Sequence, residues 1–526
     1  MSVYKSIESS TSWAALLARQ PENLREALTA DRVHHRLVST GGGLSYSYAA
    51  MDLDEPTINL LAVAAAELDL LSQYKEVASG SVMNIGEKRM VLHHLLRGQP
   101  FGPVIKDGRD YGAFYHSEKD RAGDFARKIR SGALRGSTGK RFERVVQIGI
   151  GGSDLGPRAL YLALEQWARE RNLLTVRASF ISNVDPDDAN AILAGVDPES
   201  TLFILVSKSG TTQETLANEA LVKSRLAQTP GIDPSKHLVA VTSETSPLAR
   251  NPAYLDSFYI DDYIGGRYSA TSAVGGVILS ITLGPEAFSA ILAGAAEADL
   301  AAKEPDIRRN AALLDALLGI FERDVLGRPC VAVLPYSQAL SRFPAHLQQL
   351  DMESNGKRVD RNGKPSALPT GPAVLGEPGT NGQHSFYQLL HQGTDVIPLQ
   401  FIGFRQNQTT YDPLFEGSSA RRKLNANLTA QIVAFAKGKD DSNPGKQFPG
   451  GRPSTLIFGE ELDPAALGAL LAHYENKVMF QGFAWNINSF DQEGVQLGKV
   501  LTGKVLAAGG PGDPVLSAYA GLLGAL

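Results

Sequence analysis

Hydrophobic and polar positions change rhythm along this chain. Over the first 110 or so residues the apolar positions recur mainly at helical spacing. Leu60–Leu71 carries a strong apolar face, and Glu87–Arg97 continues as a predicted helix bearing basic and histidine residues. From Arg144 short unbroken apolar runs take over. Residues 144–150, Ala178–Ser182, Leu202–Ser207 and Leu238–Thr242 read as buried strands, each running into a loop, with helical stretches between them. That alternation predicts an α/β fold, a parallel sheet covered by helices. A second block of the same kind starts near Cys330, with a strand at Val331–Leu334, a turn at Pro335-Tyr336-Ser337 and another strand at Val396–Phe401. The two blocks suggest a structural duplication, although no residue-level repeat is visible. Asp440 to Gly451 reads as an exposed polar loop within the second block.

Composition narrows the picture. At 526 residues the chain has room for two or three domains, and 43% hydrophobic with 20% charged residues is ordinary for a globular protein. A net charge of −5 supplies no global field for nucleic acid or anionic membranes, so an anionic ligand must be caught by local donors. The single cysteine, Cys330, excludes an intramolecular disulfide and a cysteine-built metal site, and its place at the head of an apolar run suits a core thiol. The apolar stretch Ala273–Gly284 is about half a membrane span, and the first residues lack a secretory apolar core. A cytoplasmic protein is expected.

Candidate chemistry lies in the loops. Ser207-Lys208-Ser209-Gly210-Thr211-Thr212 ends an apolar strand and precedes a predicted helix over 211–227. Its hydroxyls and backbone N–H groups form a candidate anion cradle around a mobile Gly210. One hydroxyl would serve to cap the helix; four exceed that need. Gly149-Ile150-Gly151-Gly152-Ser153-Asp154-Leu155-Gly156 also joins a strand to a helix, with Pro157 near the helix start. It has Asp154 where a dinucleotide loop needs a third glycine, and Pro157-Arg158 excludes a P-loop. A phosphate turn and a plain tight turn both remain open there.

Glu353 stands in Asp351-Met352-Glu353-Ser354-Asn355-Gly356-Lys357, and His384 in Gly382-Gln383-His384-Ser385. A carboxylate and an imidazole held on loops suit proton transfer. Glu353 and Lys357 also have the spacing of a helical ion pair, which Asn355-Gly356 disfavours. His384 fits equally a satisfied polar residue, with His391 seven residues on sharing its helix face. Arg267, after Gly265-Gly266, suits an anionic intermediate as well as an ordinary surface role. Gln492 and Lys499, seven apart in Asn488–Lys499, can share a helix face. No His-Glu-x-x-His or similar set appears, so no metal is assigned. Proton transfer on a phosphorylated small molecule is the reading these residues support.

Taken together, Gly149–Pro157, Ser207–Thr215, Gly265–Ser269, Met352–Lys357, Gly379–Phe386 and Asn488–Lys499 resemble the glucose-6-phosphate isomerase family. Met83–Arg89 through His93 looks like that family's N-terminal helical region. The resemblance implies two doubly wound sugar-isomerase domains at 116–300 and 301–505, a helical region at 1–115 and a tail at 506–526. It implies cofactor-free interconversion of glucose 6-phosphate and fructose 6-phosphate through an enediol(ate), in glycolysis and gluconeogenesis. It also implies a homodimer whose active sites lie at the interface. By motif, Gly152, Ser153, Ser207, Ser209, Thr211 and Thr212 would hold the phosphate, with Lys208 contributing backbone. Gln349 and Gln492 would contact the sugar. Glu353 would shuttle the proton, Arg267 would stabilise the intermediate, and His384 and Lys499 would open the ring, the histidine coming from the partner subunit.

Two positions depart from the pattern. Gly210 replaces a bulky aromatic of animal members, implying a more flexible loop. Gln496 replaces a glutamate common in the last motif. The rival readings are an isomerase that also accepts mannose 6-phosphate, a non-catalytic phosphosugar-binding regulator and a nicotinamide dehydrogenase. A regulator of this kind commonly carries a DNA-binding module, and none is evident. Asp154 opposes the dehydrogenase.

Overall fold

The computed structural model describes residues 4–98, 102–507, 510 and 512–526. It divides into two units, 1–489 and 490–526.

The first unit begins with short helical elements, Ile7–Ser9, Trp13–Leu17, Leu24–Ala27 and Ala30–His35, and then departs from the helical expectation. Leu37–Gly41 (β1) and Leu44–Ala50 (β2) form an antiparallel hairpin. Gly41, Gly42 and Gly43 all take positive φ at its turn, a conformation that a side chain would strain. The alternation of Leu44, Tyr46 and Tyr48 with Ser45 and Ser47 is the period of a strand with one buried face. Helices do follow, but the predicted Leu60–Leu71 stretch breaks at Asp69 into Glu55–Glu67 and Leu70–Ala78. Residues 87–91 form no helix, and only His93–Leu96 coil, as a 3₁₀ turn. Ile105–Lys106 (β3) and Arg109–Asp110 (β4) make a two-residue ladder.

The apolar runs of the first block become parallel strands. These are Arg144–Ile148 (β5), Arg177–Ile181 (β6), Thr201–Val206 (β7), Leu238–Ser243 (β8) and Asp256–Ile260 (β9). Their order is β6-β5-β7-β8-β9, all parallel. β7 is central and buried at all six positions, which is why its sequence, Thr-Leu-Phe-Ile-Leu-Val, lacks polar alternation.

The second block supplies Cys330–Pro335 (β10), Ala373–Gly376 (β11), Leu399–Phe404 (β12) and Ser454–Gly459 (β13). These four are mutually parallel, and the sheet order is β1-β2-β13-β12-β10-β11. The N-terminal hairpin completes this sheet through an antiparallel β2–β13 pair. Within the otherwise mainly helical residues 1–115, β2 thus ties the chain to the second sheet by pairing with β13.

Two helices pass close to each other beside these sheets. Pro285–Ala301 meets Pro464–Ala484 where Gly294 and Gly468 lack side chains. A Cβ at either would lie 1.9 Å from a carbonyl oxygen of the facing helix, Ala465 O or Ile291 O. Arg97 binds across both helices, pairing with Asp299 and Glu475. The apolar 273–283 stretch is a helix buried at every residue. It is thus an internal core element, and none of the described helices is long and apolar enough to cross a membrane.

The second unit holds a 3₁₀ turn, Glu493–Val495, and two helices, Gln496–Leu506 and Pro514–Leu522, the latter capped by Asp513.

Candidate active site

In a doubly wound sheet ligands bind beyond the carboxyl ends of the strands, in the crevice where successive crossovers diverge. In the first sheet that crevice lies between β5 and β7, because β5 crosses to β6 on one side while β7 leads to β8 on the other. The two loops expected to bind phosphate leave these strand ends. Ile148 and Leu205 are register partners at the exit.

After β7, Ser207 Oγ lies 3.0 Å from Thr212 Oγ1 and accepts the Gly210 N–H at 3.1 Å. Ser209 Oγ accepts from Thr211 N at 3.2 Å and from Thr211 Oγ1 at 3.0 Å. The helix starts at Gln213 rather than Thr211, and Thr212, at its N-cap, makes no side-chain capping bond. These hydroxyls are thus bonded within the loop, and none of them is used as the side-chain cap of the helix. Gly210 occupies a position that a side chain would not fit. Its φ is +69°, and a Cβ there would sit 2.2 Å from Ser246 Oγ. Lys208 Nζ donates to Ile264 O at 3.3 Å, and burial pushes its pKa down.

After β5 the chain turns at Gly151, with φ +60°. Asp154 is tied to Arg158, which removes it from ligand duty. The expected helix contains Pro157 but begins two residues earlier, at Leu155. Gly152 presses on the next motif: a Cβ here would lie 2.2 Å from both Gly266 C and O. A Cβ on Gly151 would lie 3.3 Å from Gln349 Nε2. Gly151, Gly152, Gln349 and the Arg267 turn therefore form one neighbourhood.

Arg267 is 2% exposed, yet every arm of its guanidinium is engaged. Nη1 binds Glu353 Oε1 at 2.9 Å, Nε donates to Ser354 Oγ at 2.7 Å and Nη2 donates to Ser489 O at 2.6 Å. Such a fork fixes a positive charge in one orientation. Glu353 keeps 23% of its side chain exposed, so it is both anchored and reachable.

The backbone beneath Glu353 is not a loop. Phe343–Leu347 is an α-helix that widens into a π-helix at Gln348–Glu353 and ends by Asn355. Asn355-Gly356 terminates this helix instead of preventing it. A π turn inserts one extra residue per turn and re-aims side chains, a feature frequent at functional sites. Sequence reasoning missed the residue that holds it. Asn355 is fully buried; Nδ2 donates to Asp351 Oδ1 at 3.3 Å and Val478 O at 3.2 Å, and Oδ1 accepts from Ser489 Oγ at 2.8 Å. Burial, aided by nearby Asp315, pushes Asp351 up to about 6 against the opposing pull of Lys477 and Asn355. Tyr268, whose hydroxyl is 3.2 Å from Ser354 Oγ, stacks on His93 at 4.6 Å. This contact brings the Met83–His93 motif behind the site.

His384 is exposed at the end of the Asn381–His384 3₁₀ turn, and its ring has no hydrogen-bond partner among the described residues. His391 does not share a helix face with it. It lies in the following helix, stacked on Phe435 at 3.7 Å and bonded to Gln431, and burial pushes its pKa down. Gln492 and Lys499 belong to the second unit. There Gln492 precedes the Glu493–Val495 turn while Lys499 rides the Gln496–Leu506 helix, so they are not two positions of one helix face.

Known proteins resemble this chain over nearly its whole length. The family described as phosphoglucose isomerase matches residues 46–515. A glucose-6-phosphate isomerase of Treponema pallidum (strain Nichols) is 55% identical over 527 residues, 99% of this chain and 98% of that protein. One from Borreliella burgdorferi (strain ZS7) is 44% identical over 519 residues, 98% of each. Among solved structures, a glucose-6-phosphate isomerase from Chlamydia trachomatis D/UW-3/Cx matches with a TM-score of 0.91. It has 41% identity and covers 99% of both chains.

Proposed function

The chain belongs to the phosphoglucose isomerase family, and we propose that Glu353 carries the proton that interconverts glucose 6-phosphate and fructose 6-phosphate in it. The interconversion itself is the family's glycolytic and gluconeogenic reaction. It moves hydrogen from C2 to C1 while an alcohol at C2 becomes a carbonyl and the C1 carbonyl becomes an alcohol. The oxidation and reduction balance within one molecule, so the reaction calls for no external oxidant.

The Arg267–Glu353 pair carries this assignment. A base that removes the C2 proton leaves negative charge on the enediolate oxygen, and a locked guanidinium 2.9 Å from that base is ready to stabilise it without reorganising. Glu353 Oε1 is held by the arginine, so the carboxylate presents a defined edge while Oε2 meets the substrate. The Ser207–Thr212 cradle, with Gly152 and Ser153, takes the phosphate and places C1 and C2 over Glu353. Gln349, beside Gly151, reaches the sugar hydroxyls, and Gln492 is assigned the same role from its motif. His384 and Lys499 open the ring before proton transfer. The exposed, unbonded ring of His384 suits a residue offered to a second copy of the chain, and we infer a cytoplasmic homodimer that shares its sites in this way.

Glu353→Gln tests the assignment. The amide is nearly isosteric, can still bind Arg267 through its oxygen and cannot accept the proton. Turnover of fructose 6-phosphate in a coupled assay should fall by about 10²–10⁴-fold while substrate still binds. A rate near the parent's would remove Glu353 from the role.

A further inference from the structure

The two sheets share a plan that their sequences hide. Reading outward from β10, the second sheet runs β11-β10-β12-β13, the same relative order as β6-β5-β7-β8 in the first. Its crossovers therefore diverge between β10 and β12, and Pro335 and Ile402 are register partners at that exit. A second switch-point crevice must exist there, and the structure has one, a cavity of about 370 Å³. Ser337 and Gln338 from the loop after β10 line it, as do Gln406 to Thr409 after β12, with Arg421 from the next helix.

Arg421 is the anomaly in this cavity. Its guanidinium is half-buried, and its Nε is enclosed without a hydrogen-bond partner. Nη1 makes one long contact to Phe404 O at 3.4 Å. No carboxylate pairs with it among the described residues. Asp412, its acidic neighbour, uses its oxygens on the backbone N–H groups of Ala420 and Arg421 at 2.8 and 3.0 Å. The other acids nearby are already matched, Glu165 with Arg169 and Glu460 with Arg405 and Gln406. Burial pushes the pKa of Arg421 down. Asp412 attracts this half-buried guanidinium without bonding to it directly, so its donors remain available to an anion that enters the cavity. Ser337 Oγ and the Gln338 amide face the same cavity and make no hydrogen bond within the described residues.

We propose that the β10–β12 crevice is a second anion site, distinct from the catalytic one, that takes a phosphate-bearing small molecule on Arg421, Ser337 and Gln338. The planar fork of arginine matches a tetrahedral oxyanion, and a hydroxyl and an amide beside it complete a donor set. The cavity volume falls in the range of small-metabolite pockets. The site is independent of the roles given to Glu353 and Arg267. It lies at the other sheet, and nothing in the catalytic assignment requires it to be filled.

Calorimetric titration of the full-length protein with inorganic phosphate tests the proposal. The parent should bind one more phosphate per chain than Arg421→Gln, and the variant should retain parental turnover of fructose 6-phosphate. Gln338→Glu, which sets a carboxylate at the mouth without touching the buried guanidinium, should weaken the Arg421-dependent phosphate at least about tenfold. That second variant keeps the test decisive should Arg421→Gln fold poorly. Ser209→Ala should weaken the other phosphate and leave this one in place. Equal stoichiometry in parent, Arg421→Gln and Gln338→Glu would overturn the second site, whether or not the Ser207–Thr212 cradle binds phosphate.

Discussion

The two sheets share a strand order and divide the work differently. In the first, the groups proposed to bind phosphate and to stabilise the intermediate follow strand ends: Gly152 and Ser153 after β5, Ser207 to Thr212 after β7, and Arg267 after β9. In the second, some of the polar side chains near the strand ends are taken up by internal packing. Gln383 bonds to Tyr336 and Asn427, and Gln408 donates to Ala163 O and Leu462 O. That sheet's proposed sugar-contacting and proton-handling residues come instead from the crossovers: Gln349 and Glu353 between β10 and β11, and His384 between β11 and β12. Strand ends offer backbone N–H groups and hydroxyls on a rigid rim, which suits holding a charge that does not change. Crossovers can be re-aimed by a π turn or a 3₁₀ turn, which suits a base that must meet a particular carbon. Duplication of a frame therefore need not duplicate a site.

The largest effect should separate two histidines of one crossover. His384→Ala should lower turnover of the closed sugar by about 10²–10⁴-fold, the range of a general acid, and lower that of an open-chain substrate less. His391→Ala should leave turnover within about twofold. Losing its stack on Phe435 and its bond to Gln431 should instead destabilise the fold by roughly 2 kcal/mol. Equal kinetic losses in the two variants would break the distinction between a site residue and a core residue. If His384 serves the partner's site, mixing His384→Ala with Glu353→Gln subunits should restore activity, because one site of each mixed dimer then carries neither change. Confirmed subunit exchange without recovery would place both residues on one chain.

A smaller effect should distinguish two glycines. Gly152→Ala puts a methyl 2.2 Å from the Gly266 backbone, so the phosphate turn or the Arg267 turn must move. A shift of about 1 Å at such a turn can reduce kcat/KM by about 10²-fold. Gly403, inside β12, has as its nearest obstacle Leu428 Cδ2 at 2.6 Å, the end of a side chain that can rotate. Gly403→Ala should lower Tm through overpacking of about 1–3 kcal/mol and leave kcat/KM unchanged. If the two alanines gave the same kinetic loss, the second sheet's strand end would be as tightly coupled to catalysis as the first's.

This division also explains what the sequence made legible. Strand-end loops announce themselves, because an apolar run followed by Gly, Ser and Thr has one plausible geometry. Ser207–Thr212 and Gly149–Ser153 could be placed at strand ends from residues alone. The π turn under Glu353 could not. Asn355-Gly356 reads as a helix breaker within a few residues, while the helix that carries Glu353 is sustained by Asn355 bonds to Val478 and Ser489, more than 120 residues away in sequence. Ser354, Asn355 and Ser489 were invisible as a group for the same reason. The β1–β2 hairpin was readable and was missed: three glycines between Val38 and Tyr46 amid alternating residues are a hairpin signal, outweighed by the helices that follow. Which side of a helix Gln492 and Lys499 occupy depended on where the helix begins, the least legible feature of any pattern.

The smallest effect concerns pH and sharpens the same contrast. The hydroxyl cradle of the first sheet is uncharged, whereas the π turn of the second rests on a buried carboxyl. Burial pushes Asp351 up to about 6, above the ordinary carboxyl value of about 4. Between those values the native protein holds a proton that the unfolded chain has released. Stability from this residue is therefore greatest below about pH 4, falls as pH rises through about 6 and is level beyond. Asp351→Asn carries no such titration and keeps an oxygen for Asn355 Nδ2. Relative to the parent, the variant should thus gain on the order of 2 kcal/mol between pH 4 and pH 7, discounted by relaxation around the site. Other buried groups titrate in the same range: Asp324 is pushed up to about 7 and His346 down to about 4, both mainly by burial. Only the difference in Tm between variant and parent across pH isolates Asp351. A difference that stays flat from pH 4 to pH 7 would mean that Asp351 is ionised in the native state at both ends. In that case Lys477, opposite it, neutralises the π turn as an ion pair, and the second half would hold its base on a fixed charge much as the first half holds its phosphate on fixed dipoles.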